Sequence, residues 1–111
     1  MKLNEYQDAA VSTAIYPGQG SFQGVTYCAL KLAGEAGEVA EKIGKVIRDD
    51  GSAISEARRQ DLKKELGDVA WYVAALSKEL GFTLEEVAQA NIEKLASRKE
   101  RGKLRGSGDD R

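Results

Sequence analysis

The sequence predicts an all-α fold: four helices in a bundle-like arrangement around a central antiparallel helix hairpin. Three observations predict it. Two long apolar repeats, Leu32, Ala36, Val39, Ile43, Val46 and Leu62, Leu66, Val69, Val73, Leu76, Leu80, advance in steps of three and four. That is the spacing of a buried helical stripe. The break Asp49 to Ser55 between them is short enough to fold one helix back on the other, and no convincing strand occurs elsewhere.

The helices follow in order. The first is expected from Lys2 to about Ala14, using Leu3, Tyr6, Ala10 and Ile15, until Pro17, Gly18 and Gly20 break the run. The second starts between Ser21 and Gly24 and continues to Arg48. It carries Gly34, Gly37 and Gly44, each costing up to ~1 kcal/mol relative to alanine inside a helix. Close approach of a neighbouring helix or of a ligand would account for them. Asp49, Asp50 and Gly51 make the turn, and Ser55 caps a third helix over Glu56 to Leu80. Gly81 ends it. Thr83 with Glu86 forms a capping-box pattern that opens a fourth helix, Leu84 to about Glu100. Residues 1–105 then make a single domain, and the glycines at 102, 106 and 108 predict a flexible tail over 106–111.

Composition narrows the chemistry. The chain of 111 residues is 32% charged with a net charge of -1, so no global field favours nucleic acid. It has no histidine, which removes the commonest catalytic base and zinc ligand. The lone Cys28, in a helical run, reads as a buried thiol and excludes an intrachain disulfide framework. No segment reaches transmembrane length, and the expected location is the cytoplasm.

Two acidic pairs share one spacing: Glu35 with Glu38, and Glu65 with Asp68. In each repeat the acids stand three and six residues after the leading leucine, flanking the stripe on the same rotational side. The approximate two-fold symmetry of an antiparallel hairpin places both pairs on one side. Their midpoint near residue 52 falls in the turn, so the pairs also lie level along the axes. Four carboxylates at that distance are costly unless something positive sits between them. A divalent cation held by oxygen ligands is the natural solution.

At these residues the chain resembles the MazG-like family of all-alpha nucleotide pyrophosphohydrolases. The resemblance rests on LAGEAGEVAEK, LKKELGDVAWY and, later, NIEKLASRKERG, and spans roughly residues 3 to 105. One departure is Gly34, where many members carry a further glutamate. It weakens the match to the phosphoribosyl-ATP branch and leaves the four principal acids intact. The resemblance implies metal-dependent hydrolysis of a (deoxy)nucleoside triphosphate at the alpha-beta linkage, giving monophosphate and pyrophosphate. It implies Mg2+, with Mn2+ as substitute and more than one ion per site, on Glu35, Glu38, Glu65 and Asp68. Glu38 or Glu41 would orient or deprotonate the attacking water.

Asn91, Lys94 and Arg98 match a segment associated with the nucleotide and its phosphates. Between Lys94 and Arg105 stand six basic residues and one acid, Glu100, and Lys99 or Arg101 could assist. A solvated helix end with cations favouring the dipole is the competing account. Asn91 falls in the stripe of Leu84, Ala88 and Leu95, where an amide needs a partner: nucleotide or another helix. Trp71, Tyr16, Phe22 and Tyr27 are candidates for core, interface or base contact, and Gln19 or Gln23 for reading a base edge. The resemblance also implies a homodimer or homotetramer; charge balance and the lack of a long apolar segment lead to the expectation of no nucleic acid or membrane partner. Phosphoribosyl-ATP hydrolysis and a non-catalytic nucleotide-binding helical module remain the alternatives.

Overall fold

A computed structural model describes residues 1–111. It contains four helices and no strand: α1 (Leu3–Val11), α2 (Phe22–Asp49), α3 (Glu56–Glu79) and α4 (Leu84–Glu100). The pairing of α2 with α3 is antiparallel. As positions advance from Cys28 and Lys42 of α2 to its C-cap Asp50, their partners on α3 retreat from Ala75 through Glu65 to Arg58. Helix α1 packs on α3, and α4 touches only α1 and α3.

The caps form where expected for the last two helices. Ser55 Oγ accepts from Arg58 N at 3.1 Å, and Thr83 Oγ1 accepts from Glu86 N at 3.1 Å. Helix α1 ends at Val11, short of Ala14. Ser12 and Thr13 turn their hydroxyls onto the carbonyls of Ala9 and Ala10, and the main chain tightens into i to i+3 bonds there. Ile15 is consequently 96% exposed and takes no part in the α1 stripe.

The core gathers at one end of the hairpin. Tyr16, Cys28 and Ala75 form its buried centre, with Ala14, Tyr27, Trp71, Tyr72 and Leu76 packed around it. Cys28 is fully buried, as its helical context predicts. Glu79 ties the α1–α2 loop to this core, accepting from Tyr16 Oη and from Gly20 N. Gly24 admits no side chain: a Cβ would stand 2.6 Å from the Gly18 carbonyl oxygen.

Away from this end the hairpin is two helices thick and part of it faces water. Leu66 of the α3 stripe is 58% exposed and Ile47 of α2 is 62% exposed. A Cβ at Gly34, Gly37 or Gly44 would meet nothing, so no helix of the same chain explains those glycines. The accessible area is 7742 Å², against roughly 6,000 Å² for a compact monomer of 12.0 kDa. The radius of gyration is 16.7 Å, where a compact domain of this length has about 13 Å.

No helix is long and apolar enough to cross a membrane.

Candidate active site

The antiparallel register brings Glu35 of α2 level with Glu65 and Asp68 of α3. One carboxylate oxygen from each lies within 4.8 Å of the others. Around an octahedral magnesium ion, adjacent oxygens stand about 3 Å apart and opposite ones about 4 Å. Small side-chain rotations would let all three hold one ion. The donors are hard oxygens with no imidazole or thiolate among them, which suits magnesium or manganese rather than zinc. The Glu35 and Glu65 side chains are only 18% and 15% exposed, so their mutual repulsion is poorly screened by water.

Lys42, a residue the acidic spacing did not single out, supplies positive charge at the rim. Its ammonium is 2.7 Å from Glu65 Oε1 and 2.9 Å from Asp61 Oδ2. Hydrogen bonds to Glu65, then to Asp61, push its pKa up to about 12, so it is a fixed cation at neutral pH. Lys31 lies 4.0 Å from Glu35 on the opposite flank. The hairpin register contained this signal, since residue 42 falls level with 61 to 65.

The other acids lie apart. Glu38 is exposed and outside the three-carboxylate group. Glu41 also lies outside it and pairs with Lys45 at 3.6 Å.

One turn beyond Asp68 on α3 stand Trp71 and Tyr72. With Thr13, Ile15, Tyr16, Pro17 and Tyr27 they line an open cavity of about 310 Å³. Trp71 donates from Nε1 to Thr13 Oγ1 at 3.1 Å and meets Tyr16 and Tyr72 edge-on. The rings of Tyr16 and Tyr27 lie nearly parallel with centroids 5.8 Å apart. Burial, then the neighbouring Tyr27 and the charge of Glu35, raise the Tyr72 pKa. Phe22 is 82% exposed and is not among the residues lining this cavity. Gln19 is engaged in the loop, donating to the Ala14 and Tyr16 carbonyls.

On α4, Asn91 is exposed, as are Ile92 and Leu95 beside it, so within a single chain burial does not require a partner for its amide. Lys94 and Arg98 are engaged by residues 106–111 instead of standing open: Lys94 Nζ lies 3.1 Å from Asp109 Oδ1, and Arg98 Nη2 2.7 Å from the Asp109 carbonyl oxygen. Lys99 and Arg101 are exposed.

A family model for the MazG nucleotide pyrophosphohydrolase domain matches residues 23–102, a span holding almost all of α2 and the whole of α3 and α4. The chain belongs to the MazG nucleotide pyrophosphohydrolase family. It is similar to the Gene 37 protein of Mycobacterium phage L5, 50% identical over 114 residues and across the full length of both chains. It is also similar to the uncharacterized protein YvdC of Bacillus subtilis (strain 168), 36% identical over 72 residues that cover 60% of this chain and 68% of that one. No solved structure matches the chain.

Proposed function

We propose that this chain hydrolyses a (deoxy)nucleoside triphosphate at the alpha-beta linkage, releasing nucleoside monophosphate and pyrophosphate. The observation that carries the reading is the convergence of Glu35, Glu65 and Asp68 inside the family-matched span. Those three carboxylates would hold the first cation, and Glu38 is the fourth, free to serve a second. Magnesium, or manganese in its place, supplies charge neutralisation along the phosphate chain and acidifies water within its reach.

The chain's own residues divide the remaining work. Glu38 orients the attacking water and takes its proton; Glu41 is the weaker candidate because Lys45 already holds it. The water oxygen bonds to the alpha phosphorus, and the bond from that phosphorus to the bridging oxygen breaks, so pyrophosphate leaves with the electron pair. Lys94 and Arg98 hold the beta and gamma phosphates as charge-assisted donors. The cavity beside Trp71 and Tyr72 takes the base, its aromatic walls lying one turn from Asp68.

We assign the working form to a dimer or a dimer of dimers in the cytoplasm. The chain exposes roughly 1,700 Å² more than a compact monomer of its mass. That matches what one subunit buries in an obligate homodimer, about 1,000–2,500 Å².

The test is a magnesium-dependent release assay over the eight standard NTPs and dNTPs, with manganese in parallel and pyrophosphate resolved from orthophosphate. Monophosphate and pyrophosphate from one or a few substrates support the reading and identify the base. Orthophosphate with a diphosphate product refutes the alpha-beta assignment. Release from none of them refutes standard nucleotides as substrates and directs the assay to phosphoribosyl-ATP.

A further inference from the structure

Beyond α4 the chain reverses at Gly102 (φ 68°) and returns along the last turns of the helix, through Gly106 and Gly108 at φ 130° and 83°. These are conformations that glycine adopts without a Cβ clash. The returning segment closes over Arg98, leaving that residue 4% exposed. Arg98 Nη2 donates to the Asp109 carbonyl at 2.7 Å, the Gly108 carbonyl at 3.3 Å and Asp109 Oδ1 at 3.4 Å. Lys94 Nζ donates to the same Oδ1 at 3.1 Å. Arg101 Nη2 donates to the Arg111 main-chain oxygen at 2.7 Å, and the Arg111 guanidinium braces the loop on the carbonyls of Lys103, Leu104 and Gly108.

The fit is incomplete in a telling way. Arg98 Nε is buried and has no partner. A guanidinium presents five N–H donors in a planar fork, and here all three acceptors crowd onto one nitrogen. A single carboxylate and two carbonyls leave the fork under-used. A phosphate group, with three oxygens and more charge, can bridge both Lys94 and the Arg98 fork. The Asp109 side chain is meanwhile 84% exposed, so water competes for its contacts. The occupant is an anion, held at its edge, in a site with donor capacity to spare.

We propose that segment 106–111 is a built-in competitor of the triphosphate, with Asp109 occupying Lys94 and Arg98 in the free protein and leaving when a phosphate chain arrives. The inference rests on the assignment of Lys94 and Arg98 to the phosphates. It makes the segment a strap: a triphosphate displaces it, and it returns once the pyrophosphate that carries the beta and gamma phosphates has left.

Calorimetric titration of the full chain with magnesium and inorganic tripolyphosphate separates the strap from the assignment beneath it. If the strap is closed about 70–90% of the time, its removal tightens apparent affinity about three- to tenfold. D109A removes the Lys94 contact and leaves the two carbonyl bonds to Arg98, so it should reach the lower end of that range, about threefold, with K94A weakening binding about tenfold. In 15N-labelled wild-type protein, tripolyphosphate should also lower the heteronuclear NOE of residues 106–110 to that of a mobile segment. Unchanged or weaker binding in D109A, with K94A still impaired, overturns the strap and leaves the phosphate assignment standing. Wild-type affinity in K94A overturns both.

Discussion

The Lys42 ammonium of α2 sits 2.7 Å from Glu65 and 2.9 Å from Asp61 of α3, a cation held against one member of the carboxylate triad. Lysine and a bound metal would neutralise the same charge, so each weakens the need for the other. Replacing Lys42 with methionine keeps the length of the stem and removes the charge. K42M should bind Mn2+ about tenfold more tightly, read by electron paramagnetic resonance of the free ion. Weaker binding would show that Lys42 organises the ligands rather than competing with the metal.

The four acids should separate into two groups. E35Q, E65Q and D68N each remove a charged donor from the converging triad and should weaken the first Mn2+ by about 10- to 100-fold. The residual helical fold, followed by circular dichroism, should persist. E38Q should leave that first affinity within about threefold and still lower turnover by about 100-fold, the range for losing a general base. Equal metal loss in all four variants would place Glu38 among the first ion's ligands. Full turnover in E38Q would move the proton transfer elsewhere.

Tyr16 is the hydrogen-bond donor that holds Glu79 over the loop between α1 and α2. Burial and that bond to a carboxylate raise its pKa well above the usual phenol value. The folded state therefore keeps a proton that the unfolded chain releases near pH ~10. The contribution is complete below that pH and fades as pH rises beyond it. Y16F should cost about 1–3 kcal/mol at pH 8, as expected for a hydrogen bond to a charged group. The gap in urea midpoint between wild type and Y16F should narrow above pH 10. A constant gap from pH 8 to 11 would assign the loss to packing alone.

The exposed side of the hairpin predicts concentration-dependent behaviour. Leu66 lies in the apolar stripe of α3 and is 58% exposed. The melting temperature should rise with protein concentration, as for any folded state linked to association. L66E should halve the mass measured by light scattering at concentrations where the wild type is a dimer. A wild-type chain that stays monomeric at 100 μM would remove the dimer from the proposal.

Much of this arrangement was readable from spacing. Periodicity and turn residues placed all four helices, and the symmetry of a hairpin brought Glu35, Glu65 and Asp68 together. The same reasoning did not reach Lys42, because a lysine four residues after a glutamate looks like any solvated helix cation until the facing helix is added. Asn91 shows the reverse difficulty. A period of three to four residues finds the apolar side of a helix but not whether the same chain covers it, and α4 leaves that side open. The return of Asp109 to Arg98 depends on glycine conformations beyond the last helix, where no periodicity exists to be read.

Gln7 carries a different consequence. Its buried amide donates to the Ala74 and Phe82 carbonyls and accepts from Leu84 N, joining α1, the end of α3 and the start of α4 through one side chain. Asn4 adds a second tie, accepting from Glu85 N at 3.0 Å. These partners lie 67 to 81 residues away along the chain. The α2–α3 turn, by contrast, closes over a handful of residues and costs little loop entropy. Folding that begins in the hairpin leaves α4 without its polar anchor until residue 7 returns. Docking of α1 is then the late step that fixes the direction of α4, and slow refolding should report on Gln7 before it reports on any residue of the carboxylate site.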